Sequence, residues 1–423
     1  NSYMIVGIIG SGGREHAICS SIYKSEKVRQ IYCLPGNAGT ESIATNVKLK
    51  LDNFEELASF VRDKKINFLI VGPEQPLVDG IVDFFKKEGV KIFGPNRMAS
   101  QLEGSKIFTK KLCEKYNIPT AKFEICKNIH DANKFISNAN FPIVVKADGL
   151  AAGKGVYICE KKDAANIAIK EIFEGKFGDA KDILFEEFLV GEEMSYFIIS
   201  DGKIFKSFQT AQDHKRVMEG DRGNNTGGMG AYSPSRLINN DLEKKIIKKI
   251  IEPTLLGLKK LDCDYTGFLY VGLMIVNNEP YLIEYNVRMG DPECQTILPK
   301  LKTDLMDILI NCEKGNLNDI DIEWRDEKSL CVVLCSNGYP GIYQNEVLIE
   351  DIDKIKLEKN NFIFHAGTKI KEGKIYSNGG RVLNFVALSN NFKESRDRVI
   401  KVINRLNWQG GFFRKDIGHK VID

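Results

Sequence analysis

The order of elements in the first hundred residues constrains this 423-residue chain most. Apolar runs at 4–9, 31–34, 68–72 and 91–93 read as strands, and helical patterns at 14–25, 53–65 and 77–88 fall between them. Strands alternating with helices predict a doubly wound parallel sheet with helical crossovers. Such sheets bind ligands beyond the carboxyl ends of their strands. After the first strand, Gly10-Ser11-Gly12-Gly13-Arg14-Glu15-His16 opens a helix, which brings backbone N–H groups to an anion. A dinucleotide fingerprint fails twice: Glu15 stands at the third glycine position, and Leu34-Pro35-Gly36 occupies the place of the required acid. This argues against NAD or FAD. A phosphate-bearing small molecule fits the loop, as does a tight turn without a ligand. After the third strand, Glu74 lies between Pro73 and Pro76. A carboxylate there suits ribose hydroxyls or an amine, and equally a solvated loop.

The chain is too long for one core. A second unit starts near Leu102, with strand candidates Ile143–Lys146, Ile183–Phe185, Met194–Ile199, Leu269–Val276 and Tyr281–Tyr285 and a long helical segment over 241–261. The polar stretch 316–328 reads as a linker to a third unit at 329–423, with strands near 330–335, 363–366 and 381–388. Sixty basic against 57 acidic residues, net +3, give no strong field for nucleic acid or an anionic membrane. No apolar run approaches the roughly 18 residues that span a bilayer. The first strand lacks the basic start and cleavage site of a signal peptide. The ten cysteines show no CxxC or Cys/His zinc spacing, so they are expected as small buried hydrophobes in a reducing cytoplasm.

Two segments carry the chemistry of a nucleotide site. In Pro142–Val156 an apolar strand ends in Lys146 and runs into a loop holding Gly149, Gly153, Lys154 and Gly155. The spacing excludes a Walker A loop. Its composition suits a lid over a triphosphate, with glycines admitting the backbone and lysines neutralising charge. A lysine in a buried strand rarely lacks a partner, so Lys146 is read as a phosphate ligand rather than a snorkelling side chain. Some 40 residues on, Glu186-Glu187-Phe188-Leu189 and Glu193 suit an adenine edge and ribose hydroxyls, or a charged hairpin. In Pro280–Glu293, Glu284 and Asn286 are two apart and so share a face. They are hard oxygen donors suited to Mg²⁺ on ATP phosphates. Arg288 shares that face if the strand continues, and suits a transferring phosphoryl group, a surface salt-bridge ladder being the alternative.

These segments resemble the ATP-grasp superfamily and, within it, the glycinamide ribonucleotide synthetases. The likeness covers almost the whole chain: GSGGREHA (10–17), PGNAGT (35–40), VGPEQPLV (71–78), QLEGSK (101–106), KADGLAAGKGV (146–156), EEFLVGEE (186–193), QDHKRV (212–217), NTGGMGAYSP (225–234), NGGRVL (378–383) and RKDIG (414–418), in order. Departures are mild. Ser11 stands where Asn is familiar, Asn224 precedes Asn225 in place of Pro, and Val287 and Met289 flank Arg288. The extra metal carboxylate of biotin carboxylase falls by spacing on Gly272, so two protein ligands are expected.

The resemblance implies a substrate-binding α/β domain at 1–102, an ATP-grasp α+β domain at 103–315 with a mobile lid at about 122–192, and a small α/β domain at 329–423. It implies ATP and Mg²⁺ or Mn²⁺, with glycine and 5-phosphoribosylamine as substrates, in a cytoplasmic monomer or weak homodimer that binds neither nucleic acid nor membrane. Lys106, Lys146, Gly153, Gly155, Glu186, Leu189 and Glu193 would hold ATP, and Glu284 and Asn286 the metal. Arg288 and Lys146 are the catalytic pair. Gly12, Gly13 and Glu74 would cradle phosphoribosylamine, and Asp213 and Asp291, with loop 225–230, glycine. His214 is left between a substrate contact and a surface basic cluster, and Arg381 and Arg414 between phosphate and interdomain contacts. Three rivals remain: another purine-pathway ATP-grasp enzyme, a Rossmann oxidoreductase and a nucleotide sensor.

Overall fold

The computed structural model describes residues 3–151, 154–179 and 182–423. The N-terminal sheet is all parallel, in the order Thr45–Asn46, Val28–Pro35, Met4–Gly10, Phe68–Val71, Lys91–Phe93. The first strand is its centre, and the chain winds outward from it in both directions. The carboxyl end of Met4–Gly10 is therefore the topological switch point, where the connections diverge and leave a crevice. The loops 10–13 and 72–74 both open there. The predicted helix over 77–88 is two helices, Glu74–Val78 and Ile81–Lys87. Gly80 breaks it in the left-handed region at φ +93°, which a side chain would strain.

The remainder is built on one antiparallel sheet in the order Glu279–Asn286, Thr266–Val276, Glu192–Asp201, Phe205–Asp213, Gly230–Ser233, Lys328–Ser336, Arg381–Ser389, Asn361–His365. The third unit is thus hydrogen-bonded to the second: Gly230–Ser233 pairs with Lys328–Ser336 across the expected linker. Their apolar faces merge as well. Ile8 of the first strand, Phe197 and Phe268 of the middle strands, Met306, and Val332 and Phe385 of the last unit share one buried cluster. The long helical segment runs as Asn240–Ile246, a π turn Ile247–Ile251, and Glu252–Lys259. Pro253 lacks the N–H that an unbroken α-helix needs, and the wider turn precedes it.

A separate four-stranded sheet, Phe123–Cys126, Ile183–Glu187, Ile143–Ala147, Val156–Cys159, carries the helices Ile129–Ser137 and Lys162–Phe173. Its core, with Val145, Ile169 and Phe185, is distinct from the main clusters. Among the described residues no helix is long and apolar enough to cross a membrane.

The division of cores sets an expectation. Truncating Phe385→Ala should cost about 3–5 kcal/mol of global stability, read by urea titration. Ile169→Ala should lower hydrogen-exchange protection within 123–187 and leave the main urea midpoint in place. Equal shifts of that midpoint by both variants would contradict separate cores.

Candidate active site

The lid-strand lysine is buried among charges. Lys146 Nζ lies 2.9 Å from Glu186 Oε1 on the neighbouring strand, and Lys110 Nζ lies 3.4 Å from Glu186 Oε2. Lys110 also donates to Thr120 Oγ1 at 2.6 Å. Lys106 opens the helix Lys106–Lys115, capped by Ser105, whose Oγ accepts from Phe108 N at 3.1 Å. Its ammonium donates to the carbonyls of Ala147 (3.0 Å) and Gly149 (2.9 Å), the first residues of the glycine loop. Burial pulls the Lys106 and Lys110 ammonium groups below their usual range, although nearby carboxylates oppose it. Gly155 closes the loop by accepting from Ala147 N at 2.9 Å. Gly153 lies outside the described residues.

The strand Glu279–Asn286 supplies the opposite wall. Burial pushes the Glu284 carboxyl up, but Lys215, Lys146, Lys106 and Arg288 outweigh it and hold it below the usual range. The charge that a cation needs is therefore present. Gly272 pairs directly with Glu284 in the sheet, so the place of a third carboxylate has no side chain. Asn286 Oδ1 lies 3.5 Å from the Arg288 guanidinium. Two oxygen donors leave most of a Mg²⁺ shell to phosphate and water, which suits this ion.

Arg288 joins the end of the strand Glu279–Asn286 to the N-terminal crevice. It pairs with Glu103 Oε2 at 3.0 Å and Glu74 Oε2 at 3.3 Å, and Glu103 Oε1 accepts from Val287 N at 2.8 Å. Burial alone would pull the guanidinium down, but Glu103 and Glu74 keep it charged. Glu74 is held below the usual carboxylate range, with Arg288 and Arg14 overcoming its burial. The acid that spoils the dinucleotide fingerprint braces the glycine loop instead. Glu15 Oε1 accepts from Gly12 N at 2.9 Å, and its other oxygen pairs with Arg14. Gly13 is required by close approach, since a methyl there would overlap the Asn384 amide of the last unit. Asp291 accepts from Gln295 Nε2 at 2.7 Å and from Arg14 N at 3.4 Å, and Arg381 lies 3.7 Å away. Gly12, Gly13, Glu74 and Asp291 therefore line one crevice beside Arg288.

Asp213 ends the strand Phe205–Asp213. Burial raises its carboxyl, and Lys215 opposes the rise. Glu293 is pushed up to about 7 by burial and by Asp213. Lys215 reaches Glu193 Oε2 at 3.3 Å, and that carboxylate holds its ammonium well above the usual range. Glu193 is thus engaged by a lysine at the cleft, and Leu189 is half-buried in the connection from Ile183–Glu187 to Glu192–Asp201. His214 is not a surface group. It is buried, its Nε2 accepts from Gly418 N at 3.1 Å, and burial, then Arg414, pulls its ring down to about 4. Arg381 donates to Asp291 O at 2.7 Å and Arg414 to Arg216 O at 3.0 Å, so both make interdomain contacts.

Sequence reasoning missed Lys110, Glu103 and Glu293. Glu103 stands 185 residues from its partner Arg288, and nothing near it in the chain marks the pairing. Lys110 falls one helical turn after Lys106, a spacing that puts both on one face. Glu293 closes the metal-strand segment, and its neighbours in the chain give it no role.

Comparison with known proteins follows the same three-part division. Residues 4–103 match the N domain of phosphoribosylglycinamide synthetase, residues 104–294 its ATP-grasp (A) domain and residues 329–420 its C domain. The chain is 45% identical over 420 residues to the phosphoribosylamine–glycine ligase of Agrobacterium fabrum, covering 99% of each. It is 44% identical over 420 residues to the protein of that name in Mesorhizobium japonicum, again covering 99% of each. A crystal structure of phosphoribosylamine–glycine ligase from Thermotoga maritima aligns with a TM-score of 0.86 at 32% identity, covering 98% of this chain and all of that one. Matched from end to end and in order, the chain belongs to the phosphoribosylglycinamide synthetase family.

Proposed function

We propose that this protein joins glycine to 5-phosphoribosylamine at the expense of ATP, giving glycinamide ribonucleotide, ADP and phosphate in purine biosynthesis. The observation that carries the reading is a shared charge arrangement: Lys215, Lys146, Lys106 and Arg288 together hold Glu284 below the usual carboxylate range, and the same Arg288 lies 3.3 Å from Glu74. Full-length relatives named for this reaction support it.

A carboxylate does not form an amide at neutral pH, because oxide is a poor leaving group. In the proposed first step a glycine carboxylate oxygen bonds to the γ-phosphorus of ATP, and the bond to the bridging oxygen of ADP breaks. Lys106 and Lys146 bind and orient the phosphates, and Arg288 neutralises charge on the transferring group. Glu186, Leu189 and Glu193 seat the adenosine, for which the Lys146–Glu186 and Lys215–Glu193 pairs must re-form around the nucleotide. Glu284 and Asn286 would hold Mg²⁺ (or Mn²⁺), which supplies charge neutralisation at the phosphates. In the second step the amine of phosphoribosylamine attacks the acyl carbon of glycyl phosphate, phosphate leaves, and the nitrogen loses a proton. Gly12, Gly13 and Glu74 hold that substrate at the switch point, next to Arg288, while Asp213 and Asp291 face the glycine. The lid role expected of the glycine loop, whose residues 152 and 153 lie outside the described ones, would keep water from the labile acyl phosphate.

The direct test is ADP release coupled to an indicator enzyme. Turnover should require both glycine and freshly generated phosphoribosylamine. Turnover that instead follows bicarbonate or formate would assign another ATP-grasp reaction, and NAD(P)H binding would favour an oxidoreductase. Removing the guanidinium in Arg288→Ala should lower kcat by about 10²–10³-fold while ATP still binds in a calorimeter. Unchanged turnover would remove its role. Glu284→Ala should abolish magnesium-dependent turnover, and full activity at ordinary magnesium would exclude it as a ligand.

A further inference from the structure

We propose that Arg414, in the last unit of the chain, is a positioning residue for this reaction, holding Lys215 at the nucleotide cleft through its two chain neighbours. The proposal rests on the ligase reading above. Arg414 is 1% exposed. It donates to Arg216 O at 3.0 Å and Asp221 Oδ1 at 2.9 Å, and forks onto Asp416 at 2.8 Å through Nε and a terminal nitrogen. Asp416 also accepts from Gly220 N at 2.8 Å, and Gly418 N donates to His214 at 3.1 Å. His214 and Arg216 are thus both tied to segment 414–418, and Lys215 stands between them.

The ammonium of Lys215 points the other way, to Glu193 at 3.3 Å, and acts on Asp213 and Glu284 beyond it. Its carbonyl accepts from Thr226 N at 2.7 Å and Thr226 Oγ1 at 2.8 Å, at the foot of a hairpin whose own anchoring is slight. The hairpin Arg216–Met218 and Arg222–Asn225 pairs with no other strand among the described residues. A lone two-stranded hairpin is marginal in water. The guanidinium, meeting a carbonyl and two carboxylates at once, supplies what the strands lack. A lysine cannot make that fork. The last unit therefore contributes to the nucleotide site from a distance, by fixing where Lys215 can reach.

The test uses the full-length enzyme and its steady-state ATP turnover. Arg414→Ala should lower kcat about tenfold or more with KM for ATP within about twofold, since the group misplaced acts in the reaction rather than in capture. Millimolar guanidinium should restore part of the rate, and Arg414→Lys should not. In a Lys215→Arg background, Arg414→Ala should add less than about a twofold loss, because residues that act as one unit are not additive. An unchanged kcat, or the same loss with and without Lys215, overturns the proposal. Should Arg414→Ala not fold, Asp221→Ala on the half-exposed hairpin removes one arm of the same fork, and its kcat should fall while the fold is kept; an unchanged kcat again overturns the proposal. The ratio of variant to wild type decides the matter for whatever ATP turnover the enzyme carries, whereas the glycine requirement of the wild type tests the ligase reading separately.

Discussion

Charge can be taken out of water only where opposite charge meets it, and that constraint shapes this protein. Lys106, Lys110 and Lys146 on one side, with Arg288 on the other, are too many cations for a dry cleft. Glu186 absorbs Lys110 and Lys146, Glu103 and Glu74 absorb Arg288, and Lys215, Lys146, Lys106 and Arg288 together hold Glu284 below the usual carboxylate range. Each pair takes its members from different elements. The lid sheet brings Lys146 and Glu186, the helix after residue 105 brings Lys106 and Lys110, and the edge strand of the large sheet brings Glu284. The site is thus built of matched charges drawn from several elements, an arrangement a metal-bound triphosphate would re-pair.

The N-terminal crevice reaches the same place by another route. A doubly wound sheet leaves an opening at its switch point whatever its sequence. Here Glu15 fills the space under the loop by accepting from Gly12, and Arg288 reaches Glu74 at the rim. The guanidinium thereby stands between Asn286 at the end of its strand and Glu74 at the crevice. The sheet that runs through Gly230–Ser233 into Lys328–Ser336 fixes the remaining unit against both, with Asn384 packed on Gly13 and Arg381 on Asp291.

Much of this was legible in the chain because it is local. The four long strands of the parallel sheet are apolar runs with turn signals, and Glu284-x-Asn286 declares its shared face by alternation alone, whereas the strand ends at Asn286 and Arg288 lies in a bend beyond it. The break at Gly80 was missed because the apolar pattern of the two short helices runs on across it. The hairpin 216–225 was missed because it is mostly polar and exposed, and its two apolar residues, Val217 and Met218, are adjacent and so show no periodicity. The strand Phe205–Asp213 mixes polar and apolar residues on both faces, and its pairing rather than its composition makes it a strand. The second partners, Glu103 for Arg288 and Lys110 for Glu186, answer to contacts made across the fold. His214 reads like a basic-cluster residue in QDHKRV, yet it accepts a hydrogen bond from a glycine 204 residues away. Such pairings depend on tertiary distance, which a single sequence does not carry.

The central claim is that one triphosphate bridges the lid-side lysines and the Glu284–Asn286 pair. A crystal structure with Mg²⁺ and a non-hydrolysable ATP analogue tests it most directly. The expected density places the phosphates between Lys146 Nζ and Glu284, with the ion on the oxygens of Glu284 and Asn286 and the terminal phosphate facing Arg288. A well-ordered nucleotide bound elsewhere, or an ion with neither side chain in its shell, would contradict it.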